Sequence, residues 1–161
     1  MLTSISIQNH SDTLHPLVAS LDFSRLKHKY TASTEAEMTA VEWDHAQREY
    51  QRFLTLKTLH PQEVLVPTKE VDTIWHAHIL DTRSYRHDCE RLFGRFIDHY
   101  PYFGIYGDDD YTNLQNAFER TCELYEKHFG PIPEQSNATR CTDHACHVVS
   151  TCACRVSGAC N

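Results

Sequence analysis

Glycine is scarce, 5 in 161 residues, and Met and Trp number only 2 each. So little glycine excludes collagen-like and Gly-rich low-complexity chains. No window approaches the roughly 18 uninterrupted apolar residues that a membrane span requires, because charges break every apolar stretch. Residues Met1 to Asn9 carry no Lys or Arg ahead of an apolar run, so they do not read as a secretory signal. Cations are in deficit: 15 Lys and Arg face 22 Asp and Glu, a formal charge of −7. That balance argues against binding a phosphate backbone, which depends on neutralising phosphates. The sequence also lacks HExxH, Gly-x-Ser-x-Gly, a phosphate loop and paired Cys-x-x-Cys knuckles. A soluble cytoplasmic protein is expected, with neither nucleic acid nor membrane as partner.

What the chain does hold is histidine and cysteine, 12 and 7 residues, the side chains that bind borderline and soft metals. In a reducing compartment seven cysteines are better read as packing thiols, metal ligands or redox groups than as disulfides. They are unevenly placed. From residue 137 onward there is no Leu, Phe, Tyr, Trp or Met, yet five cysteines lie there. Such a stretch cannot build a core of its own. The chain therefore divides into a body over 1–130, a Pro-rich linker over 131–136, and a Cys/His-rich tail over 137–161.

The body reads as all-α, an antiparallel bundle of four to five helices, with a tail that is disordered or ordered by metal. A first helix is expected over about 15–29, with Leu17, Leu21 and Leu26 as its apolar points. A second follows Ser33 or Thr34 with Glu37 as capping-box partner, bears the stripe Trp43, Ala46, Tyr50, Phe53 and Leu54, and ends at His60-Pro61. A third carries Val71, Ile74, Trp75, His78 and Ile79 on one face. Asp81 or Thr82 caps a fourth, with Tyr85, Cys89, Leu92, Phe93 and Phe96 in its stripe. The last begins in Asp108-Asp109-Asp110, where the macrodipole favours negative charge, and ends at Gly130-Pro131.

The segment from Val71 to Asp81 is the densest constellation. At about 100° per residue, His76 and His78 point to nearly opposite sides of a helix, so they do not share one ion. His78 falls close to the centre of the apolar face and is expected to be buried. Asp72 and His76, four residues apart on the margin of that face, are either two ligands from adjacent turns or a carboxylate that orients an imidazole. Cys89 and His99, with Asp88 at the stripe's edge, return to the same side if the fourth helix persists that far. A His78, Cys89 and His99 set would suit zinc or iron. Glu42-x-x-His45 has di-iron spacing but lacks the second motif such a centre needs.

Residues 71–104, with Asp72, Trp75-His76-x-His78, Leu80, Tyr85, Asp88-Cys89, Gly94 and His99, resemble the glycine-rich-domain-protein-like (GRDP-like) family in its small bacterial-type form. The similarity covers about residues 35–130. It implies that these His, Asp and Cys residues belong to a family pattern, and it transfers no biochemical activity. The long Gly-rich region of the plant members has no counterpart in this sequence.

The tail offers Cys141, Cys146, Cys152, Cys154 and Cys160, with His144 and His147 interleaved. Cys152-Ala153-Cys154 is a tight dithiolate of the kind that holds Cu(I) or zinc. The expectation is a protein that binds a transition metal, zinc by default and iron or copper as alternatives, through Asp72, His76, His78, Cys89 and His99 or through the tail thiols. Three alternatives stand beside it. One is a precursor peptide whose Cys-rich end a modifying enzyme processes, another a metal-dependent enzyme, and the third an interaction module using Tyr100, Tyr102, Phe103 and Tyr106 as a protein-partner surface. Nothing in the sequence selects a reaction.

Overall fold

The computed structural model describes residues 12–132; the tail ligands Cys141, His144, Cys146, His147, Cys152, Cys154 and Cys160 lie outside them. The described residues are all-helical, with six helices and no strand. None of these helices is long and apolar enough to cross a membrane.

The N-terminal helix expected over 15–29 is two helices, α1 (Pro16–Ala19) and α2 (Ser24–Ala32). Asp22 breaks the run: its carboxylate accepts from the Ser24 N–H and gives the backbone a turn in place of a helical bond. The buried points become Val18, Leu21, Phe23 and Leu26, while Leu17 is 40 % exposed.

Helix α3 (Ala40–Leu59) begins later than the Ser33/Thr34 start. Ser33 closes α2 instead, its hydroxyl donating to the Lys29 carbonyl. The capping box is formed by Thr39 and Glu42, each side chain accepting from the other residue's backbone N–H. Trp43, Ala46, Tyr50, Phe53 and Leu54 are all buried, as their spacing predicts. This helix is the hub of the fold. It packs most extensively on α4 (Lys69–Leu80) and also meets α1, α2 and α6 (Asp108–Phe129).

Thr68 caps α4 through the Val71 N–H, and Asp81 caps α5 (Thr82–Phe93) through the Ser84 N–H. Gly94, at φ 66°, stops α5 in the left-handed conformation that a glycine adopts without Cβ strain. Phe96 therefore leaves the helical stripe and is 48 % exposed. His99 likewise is on no helix.

The chain from His99 to Gly107 returns toward α6 as an irregular aromatic segment. Asp110 in the first turn of α6 accepts from the N–H groups of Gly104 and Tyr106 and pins this loop. A Cβ on Gly104 would lie 2.5 Å from Cδ2 of the fully buried Leu114, so only glycine permits the approach. Ile132, in the stretch read as linker, is buried and borders an apolar cavity with Phe53, Phe118 and Tyr125.

Candidate metal centre

Asp72 lies in the first turn of α4, where the helix dipole favours a carboxylate. One turn later His76 emerges on the same margin, as the i,i+4 spacing requires. The two face the solvent unequally: the Asp72 side chain is 8 % exposed and that of His76 is 54 %. His99 arrives from the loop after α5 and completes the group. Its Nε2 lies 2.7 Å from Asp72 Oδ1 and 3.2 Å from His76 Nε2, and His76 Nε2 is 3.4 Å from Asp72 Oδ2. One ligand atom from each of the three residues falls within 4.8 Å of the others.

These separations carry chemical information. Zinc–nitrogen bonds of 2.0–2.1 Å at a tetrahedral angle place two ligand atoms about 3.3 Å apart. The His76–His99 and His76–Asp72 separations are close to that value, whereas His99 and Asp72 stand at hydrogen-bond distance. The ion-pair partners of Asp72 among the described residues are these two histidines, with no Lys or Arg competing for its carboxylate.

A second layer fixes His99. Its ring packs edge-on against Trp75, with centroids 4.7 Å apart. Trp75 Nε1–H donates to the Tyr85 hydroxyl at 2.9 Å, and that hydroxyl donates to the Ile97 carbonyl at 2.7 Å, two residues before His99. Buried Tyr85 thus ties α4, α5 and the loop bearing His99 to one point.

The structure places His78 elsewhere. It is 2 % exposed, on the opposite side of α4 from His76, among the rings of Phe23, Tyr50 and Tyr85. Both its nitrogens are occupied, Nδ1 by the Tyr50 hydroxyl at 3.0 Å and Nε2 by Asp88 Oδ2 at 3.1 Å. Burial pushes the Tyr50 hydroxyl well above its ordinary range and keeps it a phenol. The network closes when Tyr50 O–H donates to Nδ1 and Nε2–H donates to Asp88. Cys89 is buried beside Tyr85, and burial raises its thiol above the usual value, which disfavours the thiolate a metal would need. The structure therefore does not assemble the His78, Cys89 and His99 set, because α5 ends at Gly94 and His99 turns toward Asp72 instead.

Of the other candidates, Glu42 serves as a capping residue and His45 meets Glu70. Tyr100, Tyr102 and Tyr106 are exposed, while Phe103 packs on Leu114 and Phe118. Composition pointed to no partner for His78, and Tyr50 was legible only as an apolar-stripe residue. His60 and His128, assigned no role from sequence, meet at 2.8 Å across 68 residues.

Comparison with known proteins fits this architecture into a group. A stretch of 85 residues, half of this chain, is 33 % identical to glycine-rich domain-containing protein 1 of Arabidopsis thaliana. The chain spans about a tenth of that protein's length. No solved structure matches. The model of the UCP032817-like family matches residues 14–135, which contain all six helices together with Asp72, His76 and His99, and the chain belongs to that family.

Proposed function

We propose that the protein binds a divalent transition metal through Asp72, His76 and His99. The observation that carries the reading is the convergence of three ligand atoms from α4 and a separate loop within 4.8 Å, around a buried carboxylate. Zinc is the first choice for such an O,N,N donor set, and iron(II) accepts the same two-histidine, one-carboxylate pattern. Three protein ligands leave a fourth position for solvent, on the side that half-exposed His76 opens. The tail is a separate thiolate-rich set, suited to a softer ion and to a reducing, cytoplasmic setting. The six helices of the described residues, with α3 packed on α1, α2, α4 and α6, fit the antiparallel bundle read from the sequence, with the site on α4 and the loop before α6.

Elemental analysis of untagged protein tests the body site directly. Near-stoichiometric metal is expected in the full chain, and His76→Ala, which alters an exposed side chain, should remove the body-bound ion without unfolding the protein. A metal-free preparation that neither takes up added zinc nor changes its melting temperature with it would sink the assignment. A chain ending after Pro133 separates the two sets: metal kept by this form belongs to the body.

A further inference from the structure

Two exposed surfaces lie outside the metal centre, and they are opposite in charge. The first is the segment that follows Arg95. Residues 96–119 hold five carboxylates and no Lys or Arg. Within that stretch Phe96, Tyr100, Tyr102 and Tyr106 are all exposed, and the Tyr100 and Tyr102 rings meet edge-on with centroids 5.6 Å apart. Asp98, Asp108 and Asp109 beside them are exposed as well. So many solvated rings on one short segment mark a contact surface, and the carboxylates make its complement cationic. The second surface is the outer face of α5. Residues 82–95 carry four arginines against Asp88 and Glu90, and Asp88 is committed to His78, with Arg91 at 4.0 Å. Arg83, Arg86 and His87 share one exposed side at i, i+3 and i+4 and line a shallow hollow with Thr82 and Glu90. Neither Arg83 nor Arg86 forms an ion pair with a described residue, Glu90 included. Every residue that lines this hollow belongs to α5, so no other described element fills it. The aromatic segment of the same copy does not reach it, because Asp110 pins the Gly104 and Tyr106 N–H groups to the start of α6.

We propose that two copies of this chain associate through these faces, with Tyr106 of one copy seated in the α5 hollow of the other and Asp108 and Asp109 pairing Arg83 and Arg86. Tyr106 is 71 % exposed and stands two residues before Asp108, so ring and carboxylates reach the same pair of arginines. A planar guanidinium stacks on a tyrosine ring and pairs a carboxylate with its fork, which suits it to a mixed aromatic and acidic partner. A chain that carries both a face and its complement uses each of them twice in a two-fold dimer, and the assembly closes. Neither face uses a metal-site side chain, and the dimer stands whether or not the metal is bound.

Sedimentation equilibrium of the full chain over about 1–300 µM tests the association, since small polar interfaces dissociate in that range. A reducing agent and a chelator exclude joining through thiols or a shared ion. A reversible monomer–dimer equilibrium is expected, weaker as salt rises. Arg83→Glu with Arg86→Glu should raise the dissociation constant at least about tenfold, and so should Asp108→Arg with Asp109→Arg, with melting temperatures reporting that each variant is folded. Tyr106→Ser should weaken the dimer at unchanged charge. Mixing the two folded charge-reversed variants is decisive: each reversed face then meets its complement, and a heterodimer should form although neither variant pairs with itself. A wild-type chain that stays monomeric throughout, a dimer indifferent to salt and to both reversals, or a mixture without heterodimer overturns the proposal. A monomer that instead binds an arginine-rich peptide, and loses it with Asp108→Arg and Asp109→Arg, also overturns it and gives the aromatic segment to a foreign cationic partner.

Discussion

Single side chains in this protein differ in what they lose on protonation, and His128 is a clear instance. Burial, the neighbouring His60 and Lys127 together hold its imidazole below the ordinary value. The unfolded chain therefore binds a proton at this position at a pH where the folded chain does not. Stability rises with pH wherever the unfolded state holds more protons. The contribution is complete above the unfolded value near 6.5, begins to fall as the pH drops through it, and is lost below the depressed folded value. Denaturant unfolding between about pH 5 and 8 should show this slope, and His128→Gln should flatten it. A wild-type curve that is already flat there would contradict the burial argument. Cys89 gives a second residue-level test. Its raised thiol and its burial predict slow alkylation in the native protein and fast alkylation in denaturant, read by peptide mapping of residue 89.

At the scale of elements, the Tyr85 hydroxyl joins three segments with two hydrogen bonds. Tyr85→Phe keeps the ring and leaves Trp75 Nε1–H and the Ile97 carbonyl without their partner. The expected cost is about 1–3 kcal/mol, because unsatisfied buried groups lose their desolvation compensation. Metal affinity should fall with it, since Ile97 and Trp75 position His99. Equal stability and equal metal content in Tyr85→Phe would remove this residue from the design of the site. The same elements show why sequence took the architecture only part of the way. The stripes of α3 and α4 and the Asp81 cap are local patterns, so spacing alone revealed them. The Asp72–His76 pair was legible for that reason, being one helical turn apart. His99 was legible as a ligand type but not by route: its approach depends on Gly94 ending α5 and on Asp110 gathering the aromatic loop. Neither is written in helical periodicity. Thr34-x-x-Glu37 and Thr39-x-x-Glu42 carry the same spacing, and the second formed the box, because the Glu37 N–H donates instead to the Tyr30 carbonyl at the end of α2.

For the molecule as a whole, a metal at Asp72, His76 and His99 would join α4 to the loop before α6 and close a chain segment of more than twenty residues. An ion that binds only the folded form stabilises it by RT ln(1 + [L]/Kd), about 2.7 kcal/mol at a hundredfold excess over Kd. For a domain of this size that corresponds to a rise in melting temperature on the order of 10 °C. Added zinc should produce such a shift in the full chain, and His76→Ala should abolish it. Tail thiols cannot mimic the result in the chain ending after Pro133, which retains every buried residue from Leu14 to Ile132. Should the shift survive His76→Ala there, the ion would be held by other groups and the three-residue centre would be wrong. Should it vanish in both forms, Asp72, His76 and His99 hold the ion, and the stabilisation enters the fold through α4 and its partner α3, which also packs on α1, α2 and α6.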